Sequence, residues 1–206
     1  MPKSGKKLYY WDTSCFIAWL DGGKGHSADA LTGLEYIATE INDNRAFLCT
    51  SVTTNTEVLQ GKYTPEQIAK LENFFKRRNV SVVSVDMKIS QRASQIRNYY
   101  NQRNVNIKTP DATHLATALI YKVDEFHTLD GDGERKRPSD LLSLNGNVAG
   151  EPLHIRVPLA PELPLLKGIG PLENAADTTP TIETEETNID VELGTPPAVQ
   201  MEDEKE

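Results

Sequence analysis

Four acidic side chains stand where an apolar segment gives way to the next element. Asp12 closes the run "KLYYW" and precedes an apolar stretch that begins at Cys15. Glu57 follows "AFLCTSV", Asp111 opens "PDATHLATALI", and Asp130, with Asp132 behind it, ends "DEFHTL". Carboxylates gathered in one place repel one another and stay ionised together only if cations neutralise them. Hard oxygen donors without His or Cys companions suit Mg2+ or Mn2+. Mg2+ keeps several waters, which leaves room for a substrate phosphate. One or two such ions can activate a water and stabilise the leaving oxygen of a phosphodiester. Each acid also has a plainer reading. Asp12 can cap the helix that follows. Thr54 and Glu57 have the spacing of a capping box. Asp111 lies in a first helical turn, where negative charge is favoured. "DGDG" reads as a turn; as a calcium loop it would need Gly where Arg135 stands. Four acids at the same architectural position favour the shared-site reading.

That position is defined by the elements around it. "KLYYW", "AFLCTSV", "VSVVSV", "DEFHTL" and "LHIRVP" read as five strands. Between them lie helical spacings. Leu31, Leu34, Ile37 and Ile41 share one face, as do Ile68, Leu71, Phe74 and Phe75 after the cap-and-proline start Thr64-Pro65. Ile89, Ala93, Ile96 and Tyr100 form another stripe, while "TSCFIAWL", "TNTEVLQ" and "TPDATHLATALIY" supply three further helix segments. Strands alternating with helices predict βαβ units around a mostly parallel sheet with helices on both faces. In such a sheet ligands bind outside the C-terminal ends of the strands, where the four acids are expected.

Charge divides the chain. Residues 171–206 hold eleven acids and one lysine, a net of −10 against −8 for all 206 residues, so residues 1–170 carry +2. The acidic balance therefore does not exclude a nucleic-acid substrate. We expect a domain over 1–170 and a disordered tail over 171–206, which has too little apolar surface to offset ordering entropy. No apolar run is long enough for a membrane span, and "MPKSGKKLYYWD" has no secretory core. Cys15 and Cys49 sit in apolar segments without metal or redox spacing, which predicts reduced core thiols in a cytoplasmic protein.

In order, "YYWDTSCFIAWL", "TSVTTNTEVL", "TPDATHLATALI" and "FHTLDGD" resemble the PIN-domain family of metal-dependent nucleases, over roughly residues 8 to 158. The resemblance implies a three-layer α/β/α sandwich and a Mg2+- or Mn2+-dependent endonuclease site, most often acting on RNA. It implies Asp12 and Asp111 as principal metal ligands, Glu57 and Asp130 as third and fourth acids, and Asp132 assisting through a water. Ser14 and Thr128 match hydroxyls that orient the acids. Many small members, called VapC-like, are toxins paired with an antitoxin protein, and members often dimerise. An antitoxin partner and a homodimer are therefore open expectations. This chain differs from the compact toxins in its segment from Gly61 to Val105 and in its acidic tail.

Basic residues supply the counterpart. A nuclease must neutralise phosphates near its acids, and Arg135, Lys136 and Arg137 follow Asp130 most closely. The groups at Lys76–Arg78 and at Arg92, Arg97 and Arg103 read as solvated faces. His114 shares a helix face with Asp111 and reads as a packing or hydrogen-bonding residue; His127 reads as structural. Tyr100 continues an apolar stripe and reads as core. Two other functions compete: a PIN-like module that binds RNA or protein without turnover, and an α/β phosphotransfer fold. A dehalogenase-like phosphatase would need a second Asp where Ser14 stands, and a receiver domain would need paired acids and a late Lys that are missing.

Overall fold

The sheet is built from five short, β-rich strands, and all of them run parallel. β1 (Leu8–Trp11), β2 (Phe47–Ser51), β3 (Val80–Val83), β4 (Glu125–His127) and β5 (Ile155–Arg156) lie in the order β3-β2-β1-β4-β5. This computed structural model describes residues 5–23 and 25–161. The expected disordered tail at 171–206, and the end of the domain at 170, lie outside the described residues.

Alternation along the strands divides the core into two halves. Tyr10, Cys49, Val83 and Phe126 face α5 (Met87–Asn101) and α6 (Thr109–Tyr121). Tyr9, Trp11, Leu48 and Val80 face α1 (Thr13–Leu20), α2 (Ala28–Asn42) and α4 (Pro65–Phe75). The period of two along each strand sends successive side chains to opposite faces, and a helical layer covers each face. The result is the expected three-layer α/β/α sandwich. Burying each large apolar side chain contributes roughly 2 kcal/mol, and Trp11, Tyr10, Phe16 and Phe126 are among the largest fully buried ones.

Local chemistry sets the helix boundaries. Thr64 and Gln67 form a reciprocal capping box ahead of Pro65, which satisfies two otherwise orphan N–H groups. α2 starts on the Ser27 hydroxyl, which accepts from Ala30 N. Gly33 on α2 is required by close approach: a Cβ there would sit 2.0 Å from the Pro158 carbonyl oxygen. α3 (Val52–Val58) departs from expectation. It begins earlier than Thr54, because the Ser51 hydroxyl caps it by accepting from Thr53 N. Thr54 is buried and pairs with the Thr50 hydroxyl at 2.8 Å, so the capping box with Glu57 does not form. Glu57 therefore sits in the last turn of α3 rather than its first. No helix among the described residues is long and apolar enough to cross a membrane.

Candidate active site

β1 ends at Trp11, and the chain turns at once into α1. Asp12 occupies the junction as the N-cap, its Oδ1 accepting from Cys15 N at 3.2 Å. The capping reading is thus correct, but it describes only part of what the residue does. Oδ1 also accepts from the Ser14 hydroxyl at 2.6 Å, and Oδ2 accepts from the Thr128 hydroxyl at 2.6 Å. Asp12 is only 4% exposed. Burial pushes its carboxyl above the usual range, and His114 and these two hydroxyls pull against that shift. Thr128 stands directly after β4, next to β1 in the sheet, so strand pairing brings the hydroxyl to the acid. Thr128 Oγ1 in turn accepts from Asp130 N at 3.0 Å, and Ser14 Oγ accepts from Leu129 N at 2.9 Å. The segment after β4 is tied to Asp12 through these two hydroxyls.

Asp111 and Asp130 line a common cavity of about 80 Å³ with Asn106, Lys108, Arg137, Ser139 and Asp140. Asp111 is in the first turn of α6, two residues past Thr109. Ala112, Leu115, Ala116 and Ala118 of that helix are fully buried, and the three small alanines let α6 lie against the sheet. The Asp111 carboxyl is raised to about 6, first by burial, then by the negative charges of Asp130 and Asp12. Asp130 accepts from Leu141 N at 3.0 Å and faces the Arg137 guanidinium at 4.0 Å. Arg137 is held by Asp140, which accepts from its Nε at 2.8 Å and its backbone N at 2.6 Å.

Glu57 reaches the site through a different set of contacts. Its Oε2 accepts from the Thr13 hydroxyl and lies 3.2 Å from His114 Nε2. Burial opposes ionisation, but the hydrogen bonds from His114 and Thr13 outweigh it and hold the carboxyl below its usual range. His114 is also among the groups that pull against the rise at Asp12 and at Asp111.

Asp12, Asp111, Asp130 and Glu57 all stand at one edge of the sheet, with Asp111 and Asp130 sharing a cavity, Asp12 held by its two hydroxyl contacts and Glu57 by its hydroxyl and histidine contacts. Among the described residues no group of three or more His, Cys, Asp or Glu stands ready to enclose a metal ion. The donor set still fits a hard divalent cation. It is all oxygen, and the mutual repulsion that raises Asp111 is the kind such an ion relieves. Mg2+ needs only one or two carboxylates and completes its shell with water.

Asp132 departs from this group. It lines a separate cavity of about 280 Å³ with Gly25, His26, Ser27, Leu129 and Gly133. The turn at 129–132, closed by Asp132 N donating to Leu129 O, carries it away from Asp130. Of the three basic residues, Arg137 lines the acidic cavity, whereas Arg135 and Lys136 are exposed and do not. Four cavity residues carried no sequence signal: Asn106, Lys108, Ser139 and Asp140. Asp140 is 2% exposed and returns to the site because the loop after β4 folds back, with Leu142 N donating to Asp130 O.

An all-parallel α/β sheet with acids clustered at its C-terminal edge defines a class of candidate phosphodiester-processing sites. A family model described as "PIN domain" matches residues 9–137. The chain belongs to the PIN-domain family, a family of nucleases. Among solved structures, VapBC2 from Rickettsia felis bound to a DNA fragment from its promoter is 14% identical, with a TM-score of 0.50 over 72% of this chain and 97% of that one. DNA-bound VapBC from Salmonella typhimurium is 20% identical, with a TM-score of 0.49 over 73% and 97%. FitAcB from Neisseria gonorrhoeae is 14% identical, with a TM-score of 0.47 over 73% and 97%. A comparison with curated proteins gives no match.

Proposed function

We propose that this chain is a Mg2+- or Mn2+-dependent endoribonuclease that cuts phosphodiester bonds in RNA, leaving a 5′-phosphate and a 3′-hydroxyl. The observation that carries the reading is the opposed pair Asp111 and Asp130 in one cavity, with Asp12 close enough for its charge to act on Asp111. These three carboxylates would hold the cation, with Glu57 beside them and Asp132, which lines a different cavity, at most assisting through a water. When bound, the cation supplies Lewis acidity to a phosphoryl oxygen and acidifies a water.

The protein's own groups do the rest. Ser14 and Thr128 each donate to one oxygen of Asp12, so that carboxylate is fixed, and the two bonds oppose the effect of its burial. Glu57, kept ionised by Thr13 and His114, accepts a proton as the water attacks. Lys108 and Arg137 line the same cavity and offer positive charge to the phosphates on either side of the scissile bond. Arg135 and Lys136, exposed on the same loop, extend that surface. Likeness of fold to VapBC2 supports an antitoxin protein as partner, and a homodimer is part of the same proposal. A cytoplasmic setting belongs to the same reading, in keeping with the two buried free thiols, Cys15 and Cys49.

A cleavage assay on mixed RNA with Mg2+, Mn2+ or EDTA, run beside Asp12→Asn and Asp111→Asn, tests it. The wild type should cut only with a cation present, and both variants should fail. Activity that survives both substitutions would remove the site, and binding without turnover in any cation would favour the module that only binds.

A further inference from the structure

His114 is a buried polar residue at this edge that has no part as ligand or substrate contact in the reading above. It is 2% exposed and lies on α6 one turn beyond Asp111. Its Nδ1 is 2.8 Å from the Tyr10 hydroxyl. Its Nε2 is 3.2 Å from Glu57 Oε2 and 3.2 Å from Thr13 Oγ1.

Chemistry forces the direction of each bond. An ionised carboxylate only accepts, and a threonine hydroxyl has one hydrogen to give. Thr13 gives its hydrogen to Glu57 Oε2. Both neighbours of Nε2 therefore accept, and the imidazole hydrogen must sit on that nitrogen. Nδ1 of the neutral ring is left with a lone pair, and the Tyr10 O–H donates to it. Tyr10 is fully buried, and burial pushes its phenol well above the usual range, so this donor is always present. Tyr10 comes from β1, Thr13 from α1 and His114 from α6. Together they hold one oxygen of a side chain carried by α3. Glu57 Oε1 has no hydrogen-bond partner among the described residues.

We infer that His114, held in its Nε2–H tautomer by Glu57 and Thr13 and braced at Nδ1 by the Tyr10 hydroxyl, is a positioning residue that fixes the Glu57 carboxylate and leaves Oε1 free for the reaction. The inference rests on the reading of Glu57 as an acid of the nuclease site. A histidine present only to fill space would not need this tautomer, nor would its loss depend on whether Glu57 is present.

Two measurements on the full chain test it. Nitrogen-15 magnetic resonance of the imidazoles, without added cation, should find the His114 hydrogen on Nε2 in the wild type and in Tyr10→Phe, where only the Nδ1 resonance should move. Hydrogen on Nδ1 in the wild type would overturn the inference. In RNA cleavage, His114→Leu should lower kcat by 10- to 100-fold, the usual cost of losing a residue that orients a site acid. KM should stay within about twofold, and His114→Gln, which keeps an amide donor, should recover much of the loss. Glu57→Gln combined with His114→Leu should be no slower than Glu57→Gln alone, because the two act as one unit. Losses that multiply would mark His114 as structural only. If the wild type cuts no RNA, the nuclease reading fails, and the tautomer measurement still decides whether His114 orients Glu57.

Discussion

Two glutamate–histidine pairs occupy opposite ends of one sheet. Glu57 and His114 meet at 3.2 Å beyond the C-terminal edge, and Glu125 and His127 meet at 3.1 Å, with Glu125 the first residue of β4. The second pair is surrounded by cations. Lys7 donates to Glu125, and Arg156 stands 3.9 Å from it. The hydrogen bond from His127 is the largest reason that the Glu125 carboxyl falls to about 2. At the other end no lysine or arginine side chain forms an ion pair with Glu57 or Asp12 among the described residues, and Asp111 sits at about 6. Charges matched on the spot hold structure together. Charges left to repel one another, in a cavity of the same fold, are where the proposed function places an external cation and an anionic substrate.

The comparison breaks most visibly if the site acids are exchanged. Asp12→Asn and Asp111→Asn should each reduce RNA cleavage by more than about 100-fold, beyond the 10- to 100-fold usual for residues that merely support a ligand. Glu125→Gln should leave cleavage intact in the same assay.

Stability should show the reverse order. Glu125→Gln should cost about 2 kcal/mol in urea denaturation, the scale of a hydrogen bond to a charged group. Because the folded carboxyl is at about 2 against an ordinary 4.5, its stabilising contribution is complete above about pH 4.5 and disappears as pH falls towards 2. Variant and wild type should therefore converge in acid.

Asp111 has the opposite sign. Its folded value of about 6 exceeds the ordinary 3.8, so the folded chain holds more proton than the unfolded one between those values. Its favourable contribution is complete below about pH 3.8 and is lost as pH rises through 6. At pH 7 without divalent cation, Asp111→Asn should be more stable than wild type by about 1 kcal/mol, a rise of roughly 2–4 °C in Tm for a chain of this size. A lower Tm would contradict the uncompensated repulsion.

Arg137→Ala should have the smallest effect. RNA binding should weaken by a few-fold and its logarithmic salt dependence should fall by about 1, as for the loss of one phosphate contact. Arg135→Ala, outside the cavity, should do less.

How much of this was legible in the sequence depends on whether a feature is local. α1 follows "TSCFIAWL" residue for residue, because Asp12 caps it and its apolar run is uninterrupted. The parallel order of the strands follows from alternation with helices. The start of α3 was misplaced because Ser51 and Thr54 are both able caps, and only the buried Thr50–Thr54 contact decides between them. Asp130 and Asp132 look alike in "DGDG", yet one turn sends them to different cavities. The partnership of His114 with Tyr10 joins residues 104 apart in sequence, and Asp140 arrives only by a loop folding back. Periodicity carries no information about such pairings.

Calorimetric titration of Mn2+ into the protein at pH 7 tests the central claim most directly. Binding should be clear in the wild type and in Glu125→Gln, and should be abolished or greatly weakened in Asp12→Asn and Asp111→Asn. Undiminished Mn2+ binding in both aspartate variants would show that the uncompensated edge of the sheet is not where the cation goes.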